Sequence, residues 1–448
     1  MSQGLLCGDE VRAAVIDLGS YRCRFGAAGQ DSPRHIFRTD VGIRNGNEME
    51  TDNNQINNSY IIGDSNLRVL KSTINIDHPY KIVDNNDNDS NSTNSDISNK
   101  NYDINMNEIE ALLQHGLTNC MRIDTQEYPL LLAEGPFTSR KQKEELIEIV
   151  FETLNCPAMY MCSNAMLSSF CVGKPTSLIV DCGHNETRIT PVVDGYALKK
   201  SAVVTNRGGR WIDSMIKQEL ESNSSIPIMR PWYEVNEKIS KNIIPTQSYR
   251  NMAINDIIAD LKQHMCFIPW KGINPDERAD RMSKLNLPPY ELPDGNLIPY
   301  YDALSTVPER LYIQKSKKRP RPAPSNDKPS FLQDVDCSVD DSLSELVYAA
   351  LLRSDIDTRR DLLSNIVLVG GSSNIDGISQ RLTNDLNDLL PDKMKCKVTS
   401  PASVVEKNNA AWIGGSILSI CGSFQQLWLS NAEYQELGSI IIDQKITH

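Results

Sequence analysis

No two of the eleven cysteines stand in a C-x-x-C spacing, and no other spacing among them reads as a zinc site. Cys156, Cys162 and Cys171 lie in strongly apolar stretches and read as buried free thiols in a reducing compartment. Long apolar runs are also missing. The longest near the C-terminus, "AAWIGGSILSICG" at 410–422, falls short of the roughly 20 residues of a membrane helix. The opening "MSQGLLCGDEVRAA" is acidic and its apolar run is short, so no secretory leader is expected. Positive charge is in deficit: 46 Lys and Arg face 58 Asp and Glu, a net charge of −12. Such a chain is a poor non-specific partner for nucleic acid, so any chromatin contact needs a local basic patch or other subunits. These absences point to a soluble intracellular protein with no membrane association. Its 448 residues suffice for two or more domains with sizeable cores.

What is present begins with "AAVIDLGSYRCRFGAAG", residues 13–29. Residues 13–18 read as a strand, Gly19-Ser20 breaks it, and "RCRFGAAG", 22–29, reads as the returning strand of a hairpin, with Gly26 and Gly29 allowing a tight approach. "PTSLIVDCGHNETRITPVVDGYAL", 175–198, repeats the pattern with Asp181 at the turn where the first has Asp17. "SNIVLVGGSSNIDG", 364–377, closes a third apolar strand with glycines and leads into a helix at 378–390. Between them, "SYIIGD" reads as a short strand and turn, "MNEIEALLQHGLTNCM" as a helix, and "YPLLLAEGPF" as a buried strand. "SRKQKEELIEIVFETL" reads as an amphipathic helix with Ser139 as its N-cap. Residues 45–58 are polar, and 84–100, "DNNDNDSNSTNSDISNK", is a low-complexity insert expected to be disordered. Residues 315–330 are basic and Pro-rich. Lys315 to Arg321 reads either as a nuclear-localisation patch or as a solvated loop.

Two aspartates, each ending a strand before a glycine turn, can face each other across a cleft. Backbone N–H groups of such turns cradle phosphates. The aspartates would then hold a hydrated Mg²⁺ against those phosphates, and Arg24 would add positive charge. Gly370, Gly371 and Ser372 would let the backbone approach a base or ribose. One such turn is a weak signal, more often a plain hairpin; three in this order are a strong one.

With these motifs in order the chain resembles the actin family, nearly end to end. "IDLGSYRCRFGAAGQD" resembles the first phosphate loop and "IVDCG…TPVVDGYAL" the second. "FETLNCPAMYM", "YELPDGN", "SDIDTRRDLL", "VLVGGSS", "AAWIGGSIL" and "SFQQLWLSNAEYQELG" follow in the family's sequence order. The resemblance implies an α/β, actin-like two-lobed fold, a duplicated ribonuclease-H-like motif around a nucleotide cleft, with two smaller outer subdomains. Each lobe is expected to carry a five-stranded mixed sheet. The implied first inner subdomain is 1–38, 79–171 and 409–448, with 39–78 outside it. The second is 172–207 and 337–408, with 208–336 outside it.

The resemblance implies ATP and Mg as cofactors, held by Asp17, Gly19, Ser20, Arg24, Asp181, Gly183, Gly209, Lys262, Gly370, Gly371 and Ser372, with Asp17 and Asp181 on the metal through water. Departures are as informative. Asn164 stands where the family has the glutamine that places the attacking water, and Arg188 where it has a nearby histidine. Phosphoryl transfer rests on positioning, so efficient hydrolysis is not expected. His184 and Asn185 replace an acidic residue and a glycine after the second turn. Gln263, Ile375 and Asn408 alter the nucleoside end, with Lys407 adjacent. The polar loop within 41–58 argues against filaments.

The opening "GDEVRAAVIDLGSYRCRFGAAGQDSP" resembles the nuclear members of the family. These are structural subunits of chromatin-remodelling and histone-acetyltransferase complexes. The resemblance thus implies a nuclear location with a cytoplasmic fraction, pairing with an actin monomer on a helix of a remodeller motor subunit, contact with other subunits, and histone binding. The apolar 410–434 stretch would line a groove for partner helices, although Trp412, Ile417 and Leu418 read equally as core. The competing class is an ATP-hydrolysing cytoskeletal protein of the same family.

Overall fold

The computed structural model describes residues 12–44, 60–82, 102–135, 137, 139–223, 229–236, 238, 243–270, 288–299, 303–312, 341–391 and 394–438. The polar stretch 45–58, the insert 84–100 and the basic segment 315–330 lie outside them, as does the N-terminal opening up to residue 11.

Two six-stranded mixed sheets organise the chain. The first runs in the order Leu429–Ser430, Ala158–Cys162, Leu130–Ala133, Ala14–Leu18, Arg22–Ala27, His35–Arg38. The second runs Tyr196–Ala197, Thr187–Val193, Ser177–Cys182, Ile366–Val369, Val398–Thr399, and Val203–Thr205 also pairs with Thr187–Val193. The expected five strands per sheet become six for a local reason. The C-terminal stretch returns to add Leu429–Ser430 against Ala158–Cys162, and Val203–Thr205 doubles back on the second hairpin.

The central strands are covered on both faces, which is why "AVIDL" is an unbroken buried run rather than an alternating one. Ala14, Ile16 and Leu18 enter one core with Leu112, Leu130 and Leu146. Val15 points the other way, to Leu167 and Trp412. In the second sheet Leu178, Val180 and Cys182 face Ile212, Ile258 and Leu346, while Ile179 joins Val367, Val369, Ala165 and Ala410. The helices Asn164–Cys171 and Ala410–Ser419 therefore serve both sheets at once. They pack so closely that a Cβ on Gly414 would lie 1.7 Å from the Leu167 carbonyl oxygen. The Trp412 indole N–H donates to the Val15 carbonyl at 2.9 Å.

Ser139 caps the helix Arg140–Glu148 with a reciprocal capping box to Gln142. The helix expected over 106–121 is α-helical only over Met106–Gln114 and continues as a wider π-helical segment, His115–Met121. Gly116 within it lies flat against Phe25, where a Cβ would meet the ring at 2.3 Å. The turn expected after "SYII" is instead the start of a short helix, Asp64–Leu67. No helix among the described residues is long and apolar enough to cross a membrane.

Candidate functional site

A cavity of about 520 Å³ lies between the two sheets, walled by both Asp-x-Gly turns and by the third glycine turn. In each hairpin the aspartate is paired in register with an arginine, Asp17 with Arg24 and Asp181 with Arg188. Glycine is required at these turns by crowding. A Cβ at Gly19 would lie 2.7 Å from the Arg22 carbonyl oxygen, and one at Gly183 2.9 Å from that of Glu186. Gly370 adopts φ +90°, and a Cβ there would sit 2.5 Å from Asp181 Oδ1. Gly371 is open, with only Asn408 Oδ1 at 4.0 Å.

Asp17 is 5% exposed and bonds Arg24 Nη1 through Oδ2 at 2.8 Å, leaving Oδ1 buried with no hydrogen-bond partner. Arg24 also donates to Asn409 Oδ1 at 2.6 Å. Burial, and after it the Asp17 charge, push Asp181 up to about 6. A carboxylate whose ionisation is opposed by burial and by a neighbouring carboxylate suits a cation placed beside it. Among the described residues no group of three or more His, Cys, Asp or Glu side chains could hold a metal by itself. A cation here would therefore rely on phosphate and water oxygens. The unpaired Asp17 Oδ1, the paired carboxylates and the glycine cradle fit a nucleotide with a hydrated divalent ion.

The two turns also touch each other. The Asn185 N–H donates to Ser20 Oγ at 3.3 Å, and the Tyr21 ring lies on His184 with centroids 4.8 Å apart. Burial first, then Lys262, push His184 down to about 3, so the ring is neutral in the ligand-free cleft. Asn185 is 4% exposed and neither polar atom of its side chain has a partner among the described residues. Ser372 Oγ donates to the Gly183 carbonyl at 2.9 Å, tying the third turn to the second.

All but one of the residues named in the sequence for the nucleotide site line this cavity. The exception is Gly209, which sits behind the wall: its carbonyl accepts from Lys262 Nζ at 3.4 Å. Lys262 pairs with Asp213 at 2.7 Å. The two positions where water-placing groups are replaced are occupied with other work. Asn164 Oδ1 accepts the Gly135 N–H at 3.0 Å, and Arg188 holds Glu186 at 2.8 Å. Sequence reasoning missed Tyr21, Asp213, Asn374 and Glu134 in the wall. Tyr21 had a signal: it directly follows Gly19-Ser20, where a phosphate cradle favours a small residue.

A second cavity, about 820 Å³, opens along the outer face of Ala410–Ser419, with Ile413, Ile417, Ile420 and Val172 in its wall. Ile417 is 39% and Ile420 51% exposed, whereas Trp412 and Leu418 are core.

Two sheets built on repeated Asp-x-Gly hairpins, clasping a cleft from both sides, define an actin-like nucleotide-cleft protein. A family model described as Actin matches residues 8–447, and the chain belongs to the actin family. The fold of this family holds a nucleotide and a divalent cation in its cleft. The chain is 32% identical to Actin-related protein 4 of Arabidopsis thaliana, covering 98% of this chain and 99% of that one. It is 30% identical to the protein of the same name from Oryza sativa subsp. indica, over 98% and 99%. For that of Yarrowia lipolytica the identity is 29%, over 98% and 96%.

Proposed function

We propose that the chain is a nuclear actin-related protein serving as a structural subunit of chromatin-remodelling or histone-acetyltransferase complexes. In this reading it holds ATP and Mg²⁺ with little hydrolysis and pairs with an actin monomer on a helix of the motor subunit. The observation that carries the reading is the use made of Asn164 and Arg188. Both water-placing positions are spent on internal bonds, to Gly135 and Glu186, so neither group is held ready to orient an attacking water. Full-length likeness to three proteins called Actin-related protein 4 supports the branch.

Asp17 and Asp181 hold the hydrated cation; Gly19, Ser20, Arg24 and Gly183 hold phosphates; Lys262, Gly370, Gly371 and Ser372 hold the nucleoside end. Gly209 supports Lys262 from behind. ATP supplies cohesion here rather than energy: a ligand that binds only the folded state stabilises it by linkage. The four subdomains follow the boundaries given above. The exposed isoleucines of 410–420 receive a partner helix, because an amphipathic helix seats its apolar face in such a groove.

Purification without added nucleotide, denaturation, and identification of what is released test the reading. ATP at about one per chain is the expected result. Recovery of ADP would revive the ATPase reading. No release, and no thermal shift with Mg-ATP, would leave an interaction scaffold with a vestigial cleft.

A further inference from the structure

Asn185 has no role in the nucleotide reading above. It stands where the resemblance implies a glycine, so its side chain is an addition of this chain. It lies in the cavity wall. Among the described residues it is the only side chain with two buried polar atoms and a partner for neither. A buried amide in that state is costly, and folded proteins keep such a group where a ligand, ion or water completes it.

The backbone that carries Asn185 is fixed from behind. The Gly183 N–H donates to the Glu186 carbonyl at 3.0 Å, closing the turn. The helix Gly209–Ser222 is seated on the same turn. Its Gly209 N–H donates to the Gly183 carbonyl at 2.9 Å, and its Arg210 N–H to the His184 carbonyl at 2.7 Å. Gly208 lies so close that a Cβ there would be 2.9 Å from the Asn185 carbonyl carbon. The Asn185 N–H is itself spent on Ser20 Oγ. The side-chain amide is what this residue has left to offer.

That amide carries donors on Nδ2 and an acceptor on Oδ1. An anion satisfies only the first, and a bare cation only the second. A phosphate oxygen beside a hydrated cation satisfies both: the oxygen accepts from Nδ2 and the cation's water donates to Oδ1. Asp17 and Asp181 share the wall with Asn185. Contact with Ser20 and a place two residues after Gly183 put it at the phosphate end. Glycine turns take phosphates by close backbone approach. A side chain standing beyond such a turn reaches one group further along the phosphate chain.

We propose that Asn185 is a specificity-determining residue that reads the terminal phosphate, so that this cleft prefers a nucleoside triphosphate to the diphosphate. The proposal rests on the nucleotide reading above. Calorimetric titration of the full-length protein with ADP and with a non-hydrolysable ATP analogue, each with Mg²⁺, tests it. The wild type should bind the analogue more tightly than ADP. Asn185→Gly, the family's residue, should weaken the analogue about ten-fold and leave ADP unchanged. Its ligand-free melting temperature should not fall, since an unsatisfied amide leaves with the side chain. Asn185→Asp keeps the shape but replaces the donor with a negative charge, and should cost the analogue at least as much. Equal weakening of both ligands, or an unchanged ratio in both variants, overturns the proposal and leaves a buried water as the partner of the amide. Equal wild-type affinity for the two ligands overturns it while the nucleotide reading stands. Binding of neither ligand overturns both.

Discussion

Asp181→Asn should make the ligand-free protein more stable at neutral pH and less responsive to nucleotide. Asp181 is raised to about 6 from an ordinary 3.8 by burial, and secondarily by Asp17. A raised carboxylate pKa means that the folded chain holds the proton more tightly than the unfolded one. The charged form therefore costs stability, in full above about pH 6, and the cost fades as pH falls towards 4. The gap between the two values corresponds to at most about 3 kcal/mol, less what solvent in the cavity relieves. For a chain of this length that is at most about 3 °C in melting temperature. Thermal unfolding in EDTA, without nucleotide, should place the variant above the wild type at pH 7. The difference should roughly halve by pH 5 and close near pH 4. Adding Mg-ATP should reverse the order at pH 7, because only the wild type keeps both carboxylates. A difference that stays constant with pH, or widens as pH falls, would refute the reasoning.

Gly414→Ala should destabilise by about 3 kcal/mol or more, since the new methyl would overlap the Leu167 carbonyl; soluble yield and melting temperature report it. Ser139→Ala should cost about 1 kcal/mol through loss of the capping box to Gln142, seen as faster amide exchange in the first turn of 140–148. Ile417→Asp should leave the melting temperature within about 1 °C, because the side chain already faces solvent. The same change should weaken capture of a partner helix at least about ten-fold; undiminished capture would show that the groove at 410–420 is not the docking face.

The hairpins were legible because each is a buried apolar run cut by Asp and Gly, a local pattern with no need of a partner. The Ser139 cap was legible for the same reason. The Tyr21–His184 contact was not. It joins residues far apart in the chain, and no periodicity encodes which turns will face each other. The edge strand Leu429–Ser430 is two residues long, too short to carry an alternation. Gly209 resembled a wall residue by motif, but its place behind Lys262 depends on how the helices Gly209–Ser222 and Gln247–Met265 pack. Asn164 and Arg188 were legible as substitutions. The Glu186 partner of Arg188 is only two residues away along the chain, whereas the Gly135 partner of Asn164 is 29 residues away and emerges only in the fold.

The two helices between the sheets leave little freedom for how the halves of the molecule can move. With Gly414 seated on a peptide carbonyl and Trp412 tied to Val15, the pair cannot slide without breaking backbone-level contacts. Sliding of one sheet over the other is thus opposed, and rotation about that pair, a hinge rather than a shear, is the motion that keeps these contacts. The exposed isoleucines at 417 and 420 sit on one of the two hinge rods, so a protein gripping them takes hold of the axle on which the cleft turns.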